Sequence, residues 1–340
     1  MQFDAEYDLV IAGAGSAGCV LTNRLSADRR PPARSGGTPA LLLPAHRLVL
    51  VNPRRPVSMA GADPGLRRDD NKGSRAATKA RPMTDYRFCT VADEGRVRVV
   101  TINRPEVMNA LPSEAHWEFD GVWNEFAANP ELWVGIITGA GDRAFSAGND
   151  LKVQAAGRRG PRPKTGFAGL SHRFDLDKPL IAAVGGVAMG GGFETALACD
   201  IIIAAENAVF ALPEPRVGLI AGSGVHRLPR MIGQKAALGM ILTGRRVSAA
   251  EGERLGFVNE VVPQGAALAA ARRWAAQILE CSPMAIRASK QVAYHSFDAA
   301  TLEAAMAQTY PAAEANLASQ DYIEGPRAFA ERRKPNWQNR

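Results

Sequence analysis

The chain reads as a layered α/β fold that closes with a helical block and opens with a basic leader. From Met83 onward, short apolar or β-branched runs alternate with amphipathic stretches, the texture of strands packed under helices. The last third is almost wholly helix-forming. Residues 31–82, by contrast, hold 13 Pro and Gly in 52 positions and show no sustained period, a composition that borders on the disordered range.

Composition sets the outer limits. A chain of 340 residues suggests about two structural units. With 46% hydrophobic and 22% charged residues, it is globular rather than disordered as a whole. Aromatics at 6% argue against a stacking platform for single-stranded nucleic acid. Cys19, Cys89, Cys199 and Cys281 are far apart, which indicates neither a zinc site nor a disulfide framework. No apolar run approaches the ~20 residues of a membrane span. Asp4, Glu6 and Asp8 stand where a secretory signal would be basic, so the expected compartment is the cytoplasm. Residues 1–82 hold 13 Lys and Arg against 7 Asp and Glu, while the remaining 258 hold 28 against 27. A nucleic-acid arm is one reading of that basic excess. A flexible leader, with no nucleic-acid and no membrane partner, is the expected one.

In chain order, residues 6–30 read as strand, tight turn and helix around Gly13, Gly15 and Gly18. Glycines at that spacing let a backbone approach a pyrophosphate at a helix N-terminus. The stretch resembles the opening of the glucose-methanol-choline oxidoreductases, which bind FAD, over only about 25 residues. Leu41-Leu42-Leu43-Pro44 stands where that family places a ribose-binding Glu. FAD is therefore not expected, and the segment reads as a truncated or fused remnant. Residues 31–82 read as a disordered basic linker.

Beyond the linker, strands are expected at Val97–Ile102 and Val134–Thr138, which are β-branched. Two more, Leu180–Val184 and Asp200–Ala204, are apolar runs that indicate burial on both faces. Helices are expected at Ser113–Ala127, Gly191–Cys199, Ser248–Leu255, Ala266–Glu280, Pro283–Tyr294 and Ala300–Leu317, with Ser113 placed to cap the first. The α/β core is expected over residues 83–275 and the helical block over 276–340.

Three segments carry the chemistry. Ala144-Phe145-Ser146-Ala147-Gly148-Asn149-Asp150-Leu151 follows the second strand. Ala188-Met189-Gly190-Gly191-Gly192-Phe193-Glu194 opens a helix, where glycines expose N–H groups at the positive end of the dipole. Such donors suit an oxygen that gains negative charge, and Glu194 lies one helical turn beyond Gly191. Phe210-Ala211-Leu212-Pro213-Glu214 precedes Gly218, Gly222 and Gly224. Each segment alone has a plain explanation: a polar loop, a helix start packed on a strand, a solvated turn. Their occurrence together, in this order, sets them apart.

These segments resemble the enoyl-CoA hydratase/isomerase, or crotonase, family, from about residue 85 to the C-terminus. The resemblance implies a crotonase-like layered β-β-α spiral core with a helical C-terminal trimerisation block. It implies an oxyanion hole from the backbone N–H groups of Asn149 and Gly191, catalytic roles for Glu194 and Glu214, and a water-positioning role for Gly222. Arg104, Asn109, Ala110, Leu111, Ala147, Gly148, Asp150 and Leu151 match the positions that line the coenzyme A cleft. Gly166-Phe167-Ala168-Gly169-Leu170, Leu176-Asp177-Lys178-Pro179, Thr243-Gly244-Arg245-Arg246 and residues 323–331 resemble the family's carnitinyl-CoA dehydratase branch. Gly185, Val187, Ala221, Val225 and Asn149 depart from the residues usual at their positions.

The implied reaction adds or removes water across the α,β double bond of an acyl-CoA thioester. Charge develops on the thioester oxygen, where two aimed N–H donors stabilise it. Two carboxyl groups share the water and the α-proton, one ionised and one protonated. By resemblance Glu214 handles the α-proton and Glu194 the water, and the residues alone leave that order open. No metal and no cofactor beyond the substrate's own coenzyme A is expected, and self-association to a trimer or hexamer is. An isomerase, which shifts the double bond without water, is the alternative, and an FAD-dependent oxidoreductase fragment is a remote one.

Overall fold

Val97–Ile102, Val134–Gly139 and Leu180–Val184 form the centre of the main sheet, because each presents apolar residues to both faces. The computed structural model describes residues 86–151, 155 and 160–340. The expected fingerprint around Gly13, Gly15 and Gly18, the linker 31–82 and the first residues of the core lie outside the described residues.

Six strands make this sheet: β1 (Cys89–Glu94), β2 (Val97–Ile102), β3 (Val134–Gly139), β5 (Leu180–Val184), β7 (Ile201–Ala205) and β10 (Glu260–Val262), in that spatial order. β1 pairs antiparallel with β2, and all later neighbours are parallel. A second sheet joins β4 (Ala144–Ser146), β6 (Val187–Met189), β8 (Val209–Ala211) and β9 (Val247–Ser248). The helices are α1 (Ser113–Ala128), α2 (Gly191–Ala198), α3 (Gly224–Ile232), α4 (Gln234–Thr243), α5 (Ala249–Leu255), α6 (Ala267–Leu279), α7 (Pro283–His295), α8 (Leu302–Ala307), α9 (Pro311–Leu317) and α10 (Gln320–Ala330).

Strand alternation divides the core in two. Val100, Ile102, Ile137, Ala182 and Val184 face one side, where Phe119, Trp123 and Phe126 of α1 and Phe193 of α2 cover them. Val97, Val99, Val134, Ile136, Ile181 and Ala183 face the other, where Ala267, Ala270, Ala271 and Ala275 let α6 lie close. That double burial accounts for the unbroken apolar runs, as expected of parallel strands.

Several expected elements need correction. Ser113 does not cap α1: Pro112 occupies that position and no side chain caps the helix. Ser248 does cap α5, its hydroxyl accepting from Glu251 N. The single helix expected over Ala300–Leu317 is two, because Pro311 starts a new helix and holds Tyr310 extended. α3 and α4 lie in a stretch for which no helix was expected, and the expected division at 275/276 falls inside α6.

Candidate active site

The first and second segments meet because β4 and β6 are parallel neighbours. Beyond β4 the chain pairs with the earlier loop: Leu111 N donates to Gly148 O (2.8 Å), Ala147 N to Met108 O (2.9 Å) and Asp150 N to Leu111 O (3.1 Å). Asn109, fully buried at φ 55°, ties that loop down. Its Oδ1 accepts from Arg104 N (2.9 Å), while its Nδ2 donates to Ala140 O (3.0 Å) and Ala144 O (2.8 Å). Arg104 Nη1 donates to Ala110 O (2.6 Å) and Asp150 Oδ2 (3.2 Å). Arg104, Asn109, Ala110, Leu111, Ala147, Gly148 and Asp150 are thus gathered into one structure. The Asn109 and Leu111 side chains are inside it, and Leu151 is exposed.

Gly148 brings the two turns into contact. It sits at φ 89°, and a Cβ there would lie 2.7 Å from Met189 O and 3.0 Å from Gly191 N. Asn149 N and Gly191 N, one from each turn, have no acceptor among the described residues. Gly191 opens α2, where the first N–H groups have no helical partner. Two unspent donors therefore sit on adjacent turns, one of them at a positive helix end.

The two glutamates flank this point. Gly190 N donates to Ala211 O (2.9 Å), which draws the end of β8 and the following Glu214 toward the helix start. A Cβ on Gly190 would lie 2.7 Å from Glu214 Oε1. Glu214 Oε2 is buried with no hydrogen-bond partner. Burial pushes the Glu214 carboxyl up to about 7; its own backbone N–H opposes this, and the charge of Glu194 adds to it. Glu194 is buried on α2, and its Oε1 accepts from Gly224 N at 2.7 Å. Gly222 borders the same carboxylate, its Cβ position being 3.6 Å from Glu194 Oε1. One carboxyl is therefore held by a backbone donor, and the other is poised to carry a proton near neutral pH.

Three further groups at this site carried no role in the sequence reading. Gly224 supplies the donor to Glu194. The Phe167 ring packs on Gly191, where a Cβ would meet its Cε2 at 2.5 Å, and His172 stands beside Gly222. Gly166–Leu170 carried the family resemblance, but nothing in the stretch signalled where its side chains would point. Among the described residues, no cluster of His, Cys, Asp or Glu is arranged to hold a metal ion.

A layered α/β fold in which two glycine-bearing turns meet beside a buried Glu194 and a partly buried Glu214 is the architecture of the crotonase class. The chain belongs to the enoyl-CoA hydratase/isomerase family, which residues 92–340 match. It is similar to the carnitinyl-CoA dehydratases of Citrobacter koseri (44% identity) and Salmonella typhi (43%), each over 259 residues, 72% of this chain and 96% of the relative. Among solved structures it resembles the enoyl-CoA hydratase from Mycobacterium tuberculosis H37Rv, with a TM-score of 0.70 and 36% identity over 74% of this chain and 99% of that one. It also resembles the carnitinyl-CoA hydratase from Mycobacterium avium, with a TM-score of 0.60 and 40% identity over 75% of this chain and 100% of that one.

Proposed function

We propose that this chain adds or removes water across the α,β double bond of an acyl-CoA thioester through Glu194 and Glu214. It is a hydro-lyase of its family, acting on CoA thioesters. The observation that carries the mechanism is Glu214 with an unpartnered oxygen and a pKa near 7, beside Glu194 held by Gly224 N.

The thioester oxygen lies between Asn149 N and Gly191 N, which stabilise the charge that develops there; each such donor is typically worth ~3–4 kcal/mol. In hydration, Glu194 takes a proton from the attacking water as the C–O bond forms at the β-carbon. Glu214 gives its proton to the α-carbon. The pair keeps one proton throughout, and dehydration runs the same steps backwards. Gly222 leaves room for the water beside Glu194. Arg104, Asn109, Ala110, Leu111, Ala147, Gly148, Asp150 and Leu151 shape the cleft for coenzyme A. No metal or redox cofactor takes part in these steps, and we expect no FAD.

Hydratase activity of a carnitinyl-CoA or enoyl-CoA type is supported by the names of the relatives. The family also contains isomerases, and the mass of the product formed from crotonyl-CoA separates the two, because hydration adds one water and isomerisation adds nothing. Hydration consumes the conjugated double bond, whereas an isomerase only moves one. A protein that shifts double bonds without hydrating would overturn the proposal.

Self-association to a trimer or hexamer fits the exposed apolar residues of the C-terminal block: Phe297, Leu302, Met306 and Phe329 are each at least three-quarters exposed. Light scattering on the purified protein tests it, and a monomer at micromolar concentration would refute it. No described helix is long and apolar enough to cross a membrane, and we propose a cytoplasmic enzyme. Residues 1–82 supply none of the reacting groups, so a chain starting at Met83 should hydrate enoyl-CoA at the full-length rate.

A further inference from the structure

The segment from Pro163 to Arg173 is held by many bonds and includes one residue, Ala168, in a backbone that its side chain disfavours. Ala168 has φ 49° and ψ 27°, the left-handed region that disfavours any residue with a Cβ. Trp123 Nε1 donates to Ala168 O (3.2 Å), and Ala168 N donates to His116 Nδ1 (3.2 Å). Arg173 Nε donates to Gly169 O (2.9 Å), and Thr165 Oγ1 to Asp120 Oδ1 (2.6 Å). Backbone kept in such a region by its surroundings marks a segment whose shape is used.

That shape delivers two side chains to the site. Phe167 lies against Gly191. His172, pinned by its own N–H to Thr165 O (2.9 Å), lies against Gly222. A Cβ on Gly222 would be 4.0 Å from His172 Cε1, 3.6 Å from Glu194 Oε1 and 4.0 Å from Glu194 Oε2. Imidazole and carboxylate thus border one point, the place assigned to the water.

The hydrogen bonds fix which nitrogen of His172 carries the proton. Ser171 is buried, and its Oγ accepts from Phe167 N at 2.8 Å. The same oxygen lies 2.9 Å from His172 Nδ1. If Nδ1 carried the proton and donated to this oxygen, the buried hydroxyl hydrogen would have no acceptor, a costly arrangement. The hydroxyl therefore donates to Nδ1, which leaves Nε2 as the ring nitrogen that carries a proton. Gly166, at φ 80°, makes room for this pair: a Cβ there would overlap Ser171 Oγ and His172 Nδ1.

We infer that His172 donates a hydrogen bond from Nε2 to the oxygen that is added to, or lost from, the β-carbon. The inference rests on the proposed hydratase function and adds a third polar group to it. His172 transfers no proton. The water's proton still goes to Glu194 and the α-proton still comes from Glu214, while His172 fixes the oxygen over the β-carbon.

Two reactions of the full-length protein separate this role from a structural one. Hydration of crotonyl-CoA needs the oxygen to be placed. Exchange of the α-protons of butyryl-CoA in D2O needs only Glu214 and the N–H pair. His172→Leu should lower the hydration kcat about tenfold, the worth of one neutral hydrogen bond. It should leave KM within about twofold and the exchange rate near wild type. His172→Gln, whose amide N–H reaches about as far as imidazole Nε2, should recover most of the hydration. Unchanged hydration in His172→Leu overturns the inference, and so does an equal loss of hydration and exchange in both variants. A wild-type protein that exchanges α-protons but does not hydrate crotonyl-CoA overturns the proposed function itself.

Discussion

Replacing Glu214 by Gln should make the protein more stable above neutral pH, although it removes the proton that the reaction needs. Burial and the charge of Glu194 hold the Glu214 carboxyl at about 7 instead of the ordinary 4.5. Between those two values the native chain keeps the proton while the unfolded chain has released it. Stability therefore falls as the pH rises through this window, and the loss is complete above about pH 7. A carboxyl raised that far costs at most about 3 kcal/mol, and its partial exposure brings this to about 1–2 kcal/mol. Gln has a similar shape and no charge to bury. Urea unfolding followed by tryptophan fluorescence, at one protein concentration because association shifts the midpoint, should show Glu214→Gln more stable by about 1–2 kcal/mol at pH 8. The gain should shrink toward zero as the pH approaches 4.5. A gain of the same size at both pH values, or a loss at pH 8, would refute the burial argument.

Because the pair works with one shared proton, kcat/KM should decline above about pH 7 as Glu214 loses it. Hydration and dehydration should share that limb, since they start from two arrangements of the same protonation state; pH profiles with crotonyl-CoA and 3-hydroxybutyryl-CoA that part company would contradict this. Gly190→Ala puts a Cβ 2.7 Å from Glu214 Oε1 at φ 52° and ψ −125°, so it should cost about 1–3 kcal/mol of stability and at least about tenfold in kcat. A variant with wild-type turnover would show that Glu214 need not stand there. Asn109→Ala leaves Arg104 N, Ala140 O and Ala144 O without their partner and should destabilise by about 2–4 kcal/mol in urea unfolding; a change under 1 kcal/mol would mean that the loop does not depend on it.

The long apolar strands and the amphipathic helices were legible because one period governs many residues. Leu180–Val184 was readable as a strand buried on both faces, and its neighbours β3 and β7 with α6 do bury it. The second sheet was not legible: β6, β8 and β9 are two or three residues long, too short to show a period. α3 was hidden by Gly224 and Pro229, which normally mark loops. The two glutamates stood out through their glycine surroundings and family resemblance. His172 did not, because its place depends on positive φ at Gly166, Ala168 and Gly169, a path through space with no local sequence period.

The shared work of Glu194 and Glu214 is tested most directly by hydration of crotonyl-CoA by the wild type, Glu194→Gln, Glu214→Gln and the double variant. Each single change should lower kcat at least about a hundredfold with KM little changed, the usual scale of acid–base catalysis. The double variant should be far less than multiplicatively worse, because both groups serve one step. Near wild-type turnover in Glu214→Gln would contradict the assignment of this pair as the reacting groups.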